Sequence, residues 1–253
     1  MKEAQQSSKQ DVVVSIVIPA YNEQGRLAVT LQAWLDFCAT KPYASEIIVI
    51  DDGSTDQTSA LVLDLARRRP QVRLHRLEPN RGKGFAVKIG VLLSRGAYVF
   101  YVDADLNVAP EYVTQALTYL EGGYDVVVGT RSLKDYMRSE RSLSRVTAGA
   151  LFQLVRRLVT LPSIRDTQCG FKGFTRSAAL VIFPRLTVSS FAFDIEVLFL
   201  ARRFHDRIKE MPVTVVYRAG STVKWRRHLL PALFDIIRVR ANNLRGRYQC
   251  SQP

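Results

Sequence analysis

The stretch "GKGFAVKIGVLLSRGAYVFYVDADLN", Gly82 to Asn107, decides how the rest of the chain is read. Its first part, "GKGFAVKIGVLLSRG", carries apolar residues at helical spacing. "AYVFYVD" then runs as a continuous apolar segment of strand length. A helix leading into a strand buried on both faces is one unit of a parallel sheet. The strand ends abruptly in Asp103, Asp105 and Asn107. A buried strand gains nothing from closing on carboxylates, so the ending calls for a chemical reason.

The same alternation extends in both directions. Upstream lie the β-branched run "VVVSIVIP" (Val12 to Pro19), the helical pattern "RLAVTLQAWLDFCA", the strand "EIIVIDD" (Glu46 to Asp52), the helix "DQTSALVLDLARRR" and a weaker strand "VRLHRL". Ser54 or Thr55 is placed to cap the second of these helices. Downstream, "PEYVTQALTYLEGG" opens with proline and closes with glycines, and "YDVVVGTR" is a fifth strand. After Arg131 the regular alternation stops. The pattern specifies an α/β fold: a Rossmann-like, mostly parallel sheet with helices on both faces. It contains no internal repeat and no low-complexity linker, so residues 12–225 read as one domain, with residues 1–11 as a disordered tail.

The 253 residues are 47% hydrophobic and 23% charged, a globular composition. The first eleven, "MKEAQQSSKQD", have no apolar h-region and do not read as a signal peptide. No apolar run approaches the roughly 18 residues of a membrane span. Cys38, Cys169 and Cys250 lack metal-ligand spacing and suggest a reducing compartment. The net charge is +13, and from Arg202 onward twelve cations face three acids, a local excess of +9. Such an excess points to an anionic partner: phosphate, nucleic acid or lipid headgroups.

In open α/β sheets ligands bind beyond the carboxyl ends of the strands. Here those ends read "PAYNE", "DDGSTD", "DADLN" and "GTR", all polar and all placed to meet in one crevice. In an extended segment Asp103, Asp105 and Asn107 share a face. Close carboxylates repel unless a cation or proton lies between them. Magnesium takes one or two carboxylates and completes its shell with water and substrate phosphates. Taken alone, so short a pattern reads first as a solvated turn with capping aspartates. "NRGKGFAVKIG" (Asn80 to Gly90) offers glycines and cations at a helix start, where backbone N–H groups favour phosphate; a glycine-rich surface loop fits equally. It lacks P-loop spacing. "RDTQCGFKGFTR" (Arg165 to Arg176) gathers acid, amide and cation around Phe171 and Phe174. In "SSFAFDIEVLFLARRF", Asp194 and Glu196 read as first-turn acids of a helix.

Together these segments resemble family 2 glycosyltransferases of the GT-A fold, in the branch that glycosylates polyprenyl phosphates. "VSIVIPAYNE", "EIIVIDDGSTD", "NRGKGFAVKIG", "DADL", "VVVGTRS", "RDTQCGFKGFTR" and "FAFDIEVLFLA" occur in the family's order over roughly residues 12 to 225. The last two look most like dolichyl-phosphate β-glucosyltransferases; dolichyl-phosphate mannose synthases are close relatives.

The resemblance implies an inverting, metal-dependent transfer of a hexose to a polyprenyl or dolichyl phosphate, with Mg²⁺ or Mn²⁺ as cofactor. UDP-glucose is the favoured donor and GDP-mannose the alternative. It places Pro19, Ala20, Tyr21, Glu23, one or both of Asp51 and Asp52, and Lys83 at the donor nucleotide. Asp103, Ala104 and Asp105 are the metal and diphosphate motif, with Asn107 a further ligand. Arg131 is similar to the arginine that grips the acceptor phosphate, with Arg141 or Arg145 as a second. Arg218 and Lys224 in "YRAGSTVK" are candidates for the late cation at the donor diphosphate, although the spacing departs from the family's G-x-S-K. Asp194 matches an acid that serves as base in hydroxyl-using relatives, and is expected here among the catalytic residues in a positioning role.

Residues 226–253 form a C-terminal basic amphipathic segment. Leu229, Leu230, Leu233, Phe234, Ile237 and Leu244 fall near helical spacing among arginines. Such a helix can dock at a membrane surface or pack its apolar face on the sheet. The implied enzyme is peripheral, on the cytoplasmic face of a membrane. A basic module for membrane or nucleic acid without catalysis is the competing class; no nucleic-acid motif supports it, and it leaves the strand ends unexplained.

Overall fold

The computed structural model describes residues 11–131, 164–216 and 225–249. Its strands are β1 (Val14–Ala20), β2 (Ser45–Asp51), β3 (Val72–Arg76), β4 (Tyr98–Val102), β5 (Val126–Arg131), β6 (Phe171–Thr175) and β7 (Ile208–Val213). They form one sheet in the order β3-β2-β1-β4-β6-β5-β7. All are mutually parallel except β6, which runs antiparallel between β4 and β5. The first five overlap the strands expected from the apolar runs. The last two lie after Arg131, where the regular strand–helix alternation stops, and were not expected from apolar runs. "FKGFT" is a strand despite Lys172 and Gly173, because Phe171 and Phe174 pack against Phe100 and Tyr101 of β4.

The helices are α1 (Leu27–Ala39), α2 (Thr58–Arg68), α3 (Lys83–Leu93), α4 (Tyr112–Glu121), α5 (Arg176–Ile182), α6 (Phe193–Arg203) and α7 (Trp225–Leu244). They cover both faces, as successive parallel strands require. Ile16 and Ile18 of β1 pack with Leu31 and Trp34 of α1 and with Val113 and Ala116 of α4. The alternate residue, Val17, faces Ala86, Val87 and Val91 of α3 on the other side, in a core shared with α5, α6 and Ile236 and Val239 of α7. Each such aliphatic side chain, fully withdrawn from water, contributes about 1.5–3 kcal/mol. Gly122 ends α4 and Gly123 follows at φ 90°, as the terminal glycines indicate.

The start of α2 differs from expectation. Its N-cap is Gln57, without a side-chain cap. Ser54 instead accepts from the Asn22 N–H at 2.9 Å, and the Asp56 carboxylate accepts from the Thr58 N–H at 2.9 Å. The first of these bonds ties the ends of β1 and β2 to each other. At the opposite end of the sheet, buried Glu46 accepts from Ser15 Oγ (2.7 Å), the Arg95 N–H (2.7 Å) and the Arg73 guanidinium (2.7 Å). Burial works to raise its pKa, and these donors outweigh it and hold it below the usual carboxylate range.

Candidate active site

The carboxyl ends of β1, β2, β4 and β5 lie along one edge of the sheet. There, Asp103, Asp105, Asn107, Arg131, Gln168, Cys169 and Gly170 line one pocket. The acids do not converge through a pleat, as extended-strand spacing implies. β4 ends at Val102, and residues 104–105 turn. Leu106 sits at φ 53°, in the left-handed region that a branched side chain rarely adopts. That strained residue turns Asn107 back so that its Nδ2 donates to Asp105 Oδ2 at 2.5 Å. Strain of this kind collects at functional sites. Ala104 is buried and its carbonyl accepts from Thr30 Oγ1 of α1 at 2.6 Å, which anchors the turn from below.

Lys83, the first residue of α3, places Nζ 2.6 Å from Asp103 Oδ1. Burial opposes its charge, but Asp103 and Asp194 raise its pKa above the ordinary lysine value. Burial likewise works against the Asp103 carboxylate, and Lys83 outweighs it, lowering its pKa. For Asp105 the balance reverses: burial first, then repulsion by Asp103, raise its pKa. Gly170 is required on the far wall, because a Cβ there would run into the Asp103 carboxylate.

Beneath this pair lies a buried triad that sequence reasoning missed. Lys172 of β6, fully buried, donates to Asp194 Oδ1 at 2.5 Å, and the Tyr101 hydroxyl donates to the same oxygen at 2.5 Å. Burial and the adjacent Asp194 push the Tyr101 phenol far above its usual range. Asp194 therefore sits under the pocket and does not line it. The signal in the sequence was a lysine flanked by aromatic residues inside an apolar strand. Glu196, two residues on, accepts from the Thr187 and Val188 N–H groups and the Tyr248 hydroxyl, so it braces the turn that follows the C-terminal helix.

Arg131 closes the other side of the pocket. Its Nε and Nη2 donate to Asp166 at 2.6 and 2.8 Å, a two-pronged pair that fixes the plane of the guanidinium. Burial works to raise the Asp166 pKa, and Arg131 outweighs it and holds it low. Asp166, Gln168 and Cys169 belong to the segment that leads into β6, which is why the antiparallel strand matters to the site.

The remaining candidates divide. Pro19 is half-buried, Ala20 buried and Tyr21 exposed at the end of β1. Glu23 forms a salt bridge with Arg26. Asp51 is fully buried and accepts from the Ser54 N–H at 2.9 Å and from Ser59 Oγ. Asp52 accepts from the Arg81 and Gly82 N–H groups, both at 2.8 Å. Burial, ahead of these bonds, raises its pKa. The Gly84 N–H donates to the Ser189 carbonyl at 2.8 Å. The N–H groups of Arg81, Gly82 and Gly84 at the start of α3 are thus engaged internally, and Lys83 brings its side chain to the site. Arg141, Arg145, Arg218 and Lys224 lie outside the described residues.

The donor set fits a hard divalent cation. Two carboxylates flank the pocket, and Asn107 Oδ1 is a buried oxygen with no hydrogen-bond partner. Among the described residues no three His, Cys, Asp or Glu side chains cluster as a self-sufficient metal cage. Such a set suits an ion that keeps water and takes oxygens from a substrate.

The family model for Glycosyl transferase family 2 matches residues 15–183. Dolichyl-phosphate beta-glucosyltransferase of Dictyostelium discoideum is 37% identical over 251 residues, covering 93% of this chain and 76% of that protein. The Homo sapiens protein of the same name is 33% identical over 253 residues, covering 94% and 78%. Among solved structures, glucosyl-3-phosphoglycerate synthase from Mycobacterium tuberculosis, in complex with Mn²⁺, uridine-diphosphate and phosphoglyceric acid, aligns with a TM-score of 0.66. That alignment covers 95% of this chain and 80% of that one at 20% identity, and it shows a shared fold.

Proposed function

The chain belongs to glycosyl transferase family 2, and we propose that it transfers glucose from UDP-glucose to the phosphate of a dolichyl or other polyprenyl phosphate, with inversion to a β-linked product. The names of its relatives support the acceptor and the sugar. The single observation that carries the reading is the pocket itself, where Arg131 faces Asp103 and Asp105. A pair of acids for a cation-bound diphosphate and a fixed guanidinium for a second anion are what this reaction needs.

Both substrates are anionic, so the enzyme has to hold two phosphates that repel. A phosphate monoester carries about −1.5 to −2 charge at neutral pH and is already a nucleophile. Its oxygen forms the new bond to the anomeric carbon as the bond to the diphosphate breaks. The electron pair leaves with the diphosphate, and no proton has to move. Arg131, held in plane by Asp166, orients the attacking phosphate. Lys83 offers its ammonium to the departing diphosphate. Asp103, Asp105 and Asn107 Oδ1 would hold Mg²⁺ or Mn²⁺, which supplies Lewis-acid neutralisation of the leaving group. Asp194 and Lys172 keep the floor rigid and the water out. Pro19, Ala20 and Tyr21 lie where the nucleoside extends along the sheet edge.

The lipid tail of the acceptor puts the reaction at a membrane surface, which we assign to the cytoplasmic face. No described helix is long and apolar enough to cross a membrane. The test is a panel of radiolabelled nucleotide sugars with polyprenyl phosphate and Mg²⁺ or Mn²⁺. UDP-glucose should give a labelled glycolipid; labelling from GDP-mannose alone would overturn the donor assignment.

A further inference from the structure

The C-terminal helix α7 has two apolar faces, and only one of them is in the core. Ile236 and Val239 are buried against α6, with Asn242 beside them. On the opposite side Phe234, Ile237 and Leu244 are 71, 55 and 76% exposed. Their spacing, with Ala241 between, follows one line along the helix. Arg240 borders that line on one side, and Arg238 and Arg245 on the other; all three are exposed. Beside Arg240, the end of α6 brings Arg202, Arg203 and His205 around a shallow hollow shared with Phe199 and Asn243. Among the described residues none of Arg202, Arg203 and Arg240 has an acidic salt-bridge partner. Asn243 Oδ1 at the hollow is buried without a hydrogen-bond partner.

We propose that this outward face of α7 docks on an anionic lipid bilayer, with the Phe234–Ile237–Leu244 line entering the acyl boundary and the arginines of the hollow taking lipid phosphates. An apolar stripe bordered on both sides by arginines is the pattern of a helix lying in the headgroup plane, where long cationic side chains reach back to the phosphates. The uncompensated cations around the hollow supply the charge complementarity. The membrane also gives this face a role in the proposed reaction, on whose lipid acceptor the inference rests. Ser190 Oγ donates to Asp235 on α7 at 2.6 Å, and the neighbouring Ser189 carbonyl receives the Gly84 N–H next to Lys83. The docking helix is thereby tied to the helix start that serves the pocket.

The experiment is flotation of the full chain with phosphatidylcholine vesicles, with and without phosphatidylserine, at low and high salt. Binding is expected with phosphatidylserine at low salt and should weaken about tenfold or more at high salt or after Arg202→Glu with Arg240→Glu. Phe234→Glu with Ile237→Glu should abolish it, while circular dichroism and the melting temperature stay unchanged. No flotation at low salt overturns the proposal. So does flotation unaffected by either pair of substitutions. If vesicles fail to bind but inorganic phosphate raises the melting temperature through Arg202 and Arg240, the hollow is a site for a soluble anion and the docking face is rejected. If sedimentation shows a dimer that the Phe234/Ile237 pair dissociates, a second copy covers the stripe and the proposal falls. Transfer to a short-chain, water-soluble polyprenyl phosphate should be the same in all variants. Its absence in the parent protein, with flotation intact, would leave the docking face standing and remove the proposed function.

Discussion

Lys83 Nζ stands 2.6 Å from Asp103 Oδ1, while Asp105, two residues on, is bonded to the Asn107 amide. One acid of the pair is already matched by a protein cation and the other is not. The two positions should therefore respond differently when a carboxylate is removed.

Asp105→Ala should reduce transfer about a hundredfold or more, the scale seen when a preorganised charge-stabilising group is lost. Its side chain faces the pocket, so the melting temperature without ligand should not fall. Asp103→Ala should cost turnover and also lower the melting temperature, because it leaves Lys83 half-buried without its partner. Near-normal turnover of folded Asp105→Ala would remove the cation site.

Arg131→Ala should raise the acceptor KM by about tenfold or more, the scale of one or two hydrogen bonds to a charged group. The Kd for UDP should stay nearly constant. Arg131→Lys keeps the charge but loses the planar fork on Asp166, and should fall between the two. If UDP affinity drops as far as turnover, Arg131 serves the donor and its assignment to the acceptor is wrong.

Most of the sheet was legible because β1, β2, β4 and β5 are largely buried on both faces, and their apolar runs are continuous. β6 was not, because it runs antiparallel between β4 and β5 and places Lys172 in the core beside Phe171. Periodicity reports faces and not partners, so nothing announced that Lys172 would meet Asp194 from a helix twenty-two residues away. The acids at the end of β4 were legible as a group, but the mechanism of their convergence was not. Leu106 at positive φ is a backbone choice that its side chain disfavours, so no residue preference signals it. On α7 the spacing found the line Phe234–Ile237–Leu244 but could not say which side met the core. Ile236 and Val239, not those three, enter the core beside α6.

Lys172→Met should destabilise the fold by about 3–5 kcal/mol, since it strands Asp194 as a buried charge with Tyr101 as its remaining donor. Adding Asp194→Asn should restore part of that loss, because the amide needs no counterion. The check is a double-mutant cycle by urea denaturation. Additive losses would mean that the two side chains do not act as a pair.

Asp206 offers a pH test away from the pocket. Its Oδ2 is buried without a hydrogen-bond partner. Burial, and then repulsion by Asp125, raise its pKa to about 6. An acid whose pKa is higher folded than unfolded keeps its proton longer in the folded state. Stability is therefore unaffected below the unfolded value of about 3.9, and falls as pH rises from there to about 6. Above that the penalty is complete. The raw shift corresponds to about 3 kcal/mol, and partial solvent access reduces it to roughly 1 kcal/mol. Asp206→Asn removes the charge and should stabilise the protein by that amount at neutral pH. The gain should vanish near pH 4, where the parent carboxyl is protonated in the folded chain. Urea denaturation of both proteins at the two pH values measures it. An equal gain at both would show that the effect comes from the amide's hydrogen bonds, and that Asp206 titrates as an ordinary surface acid.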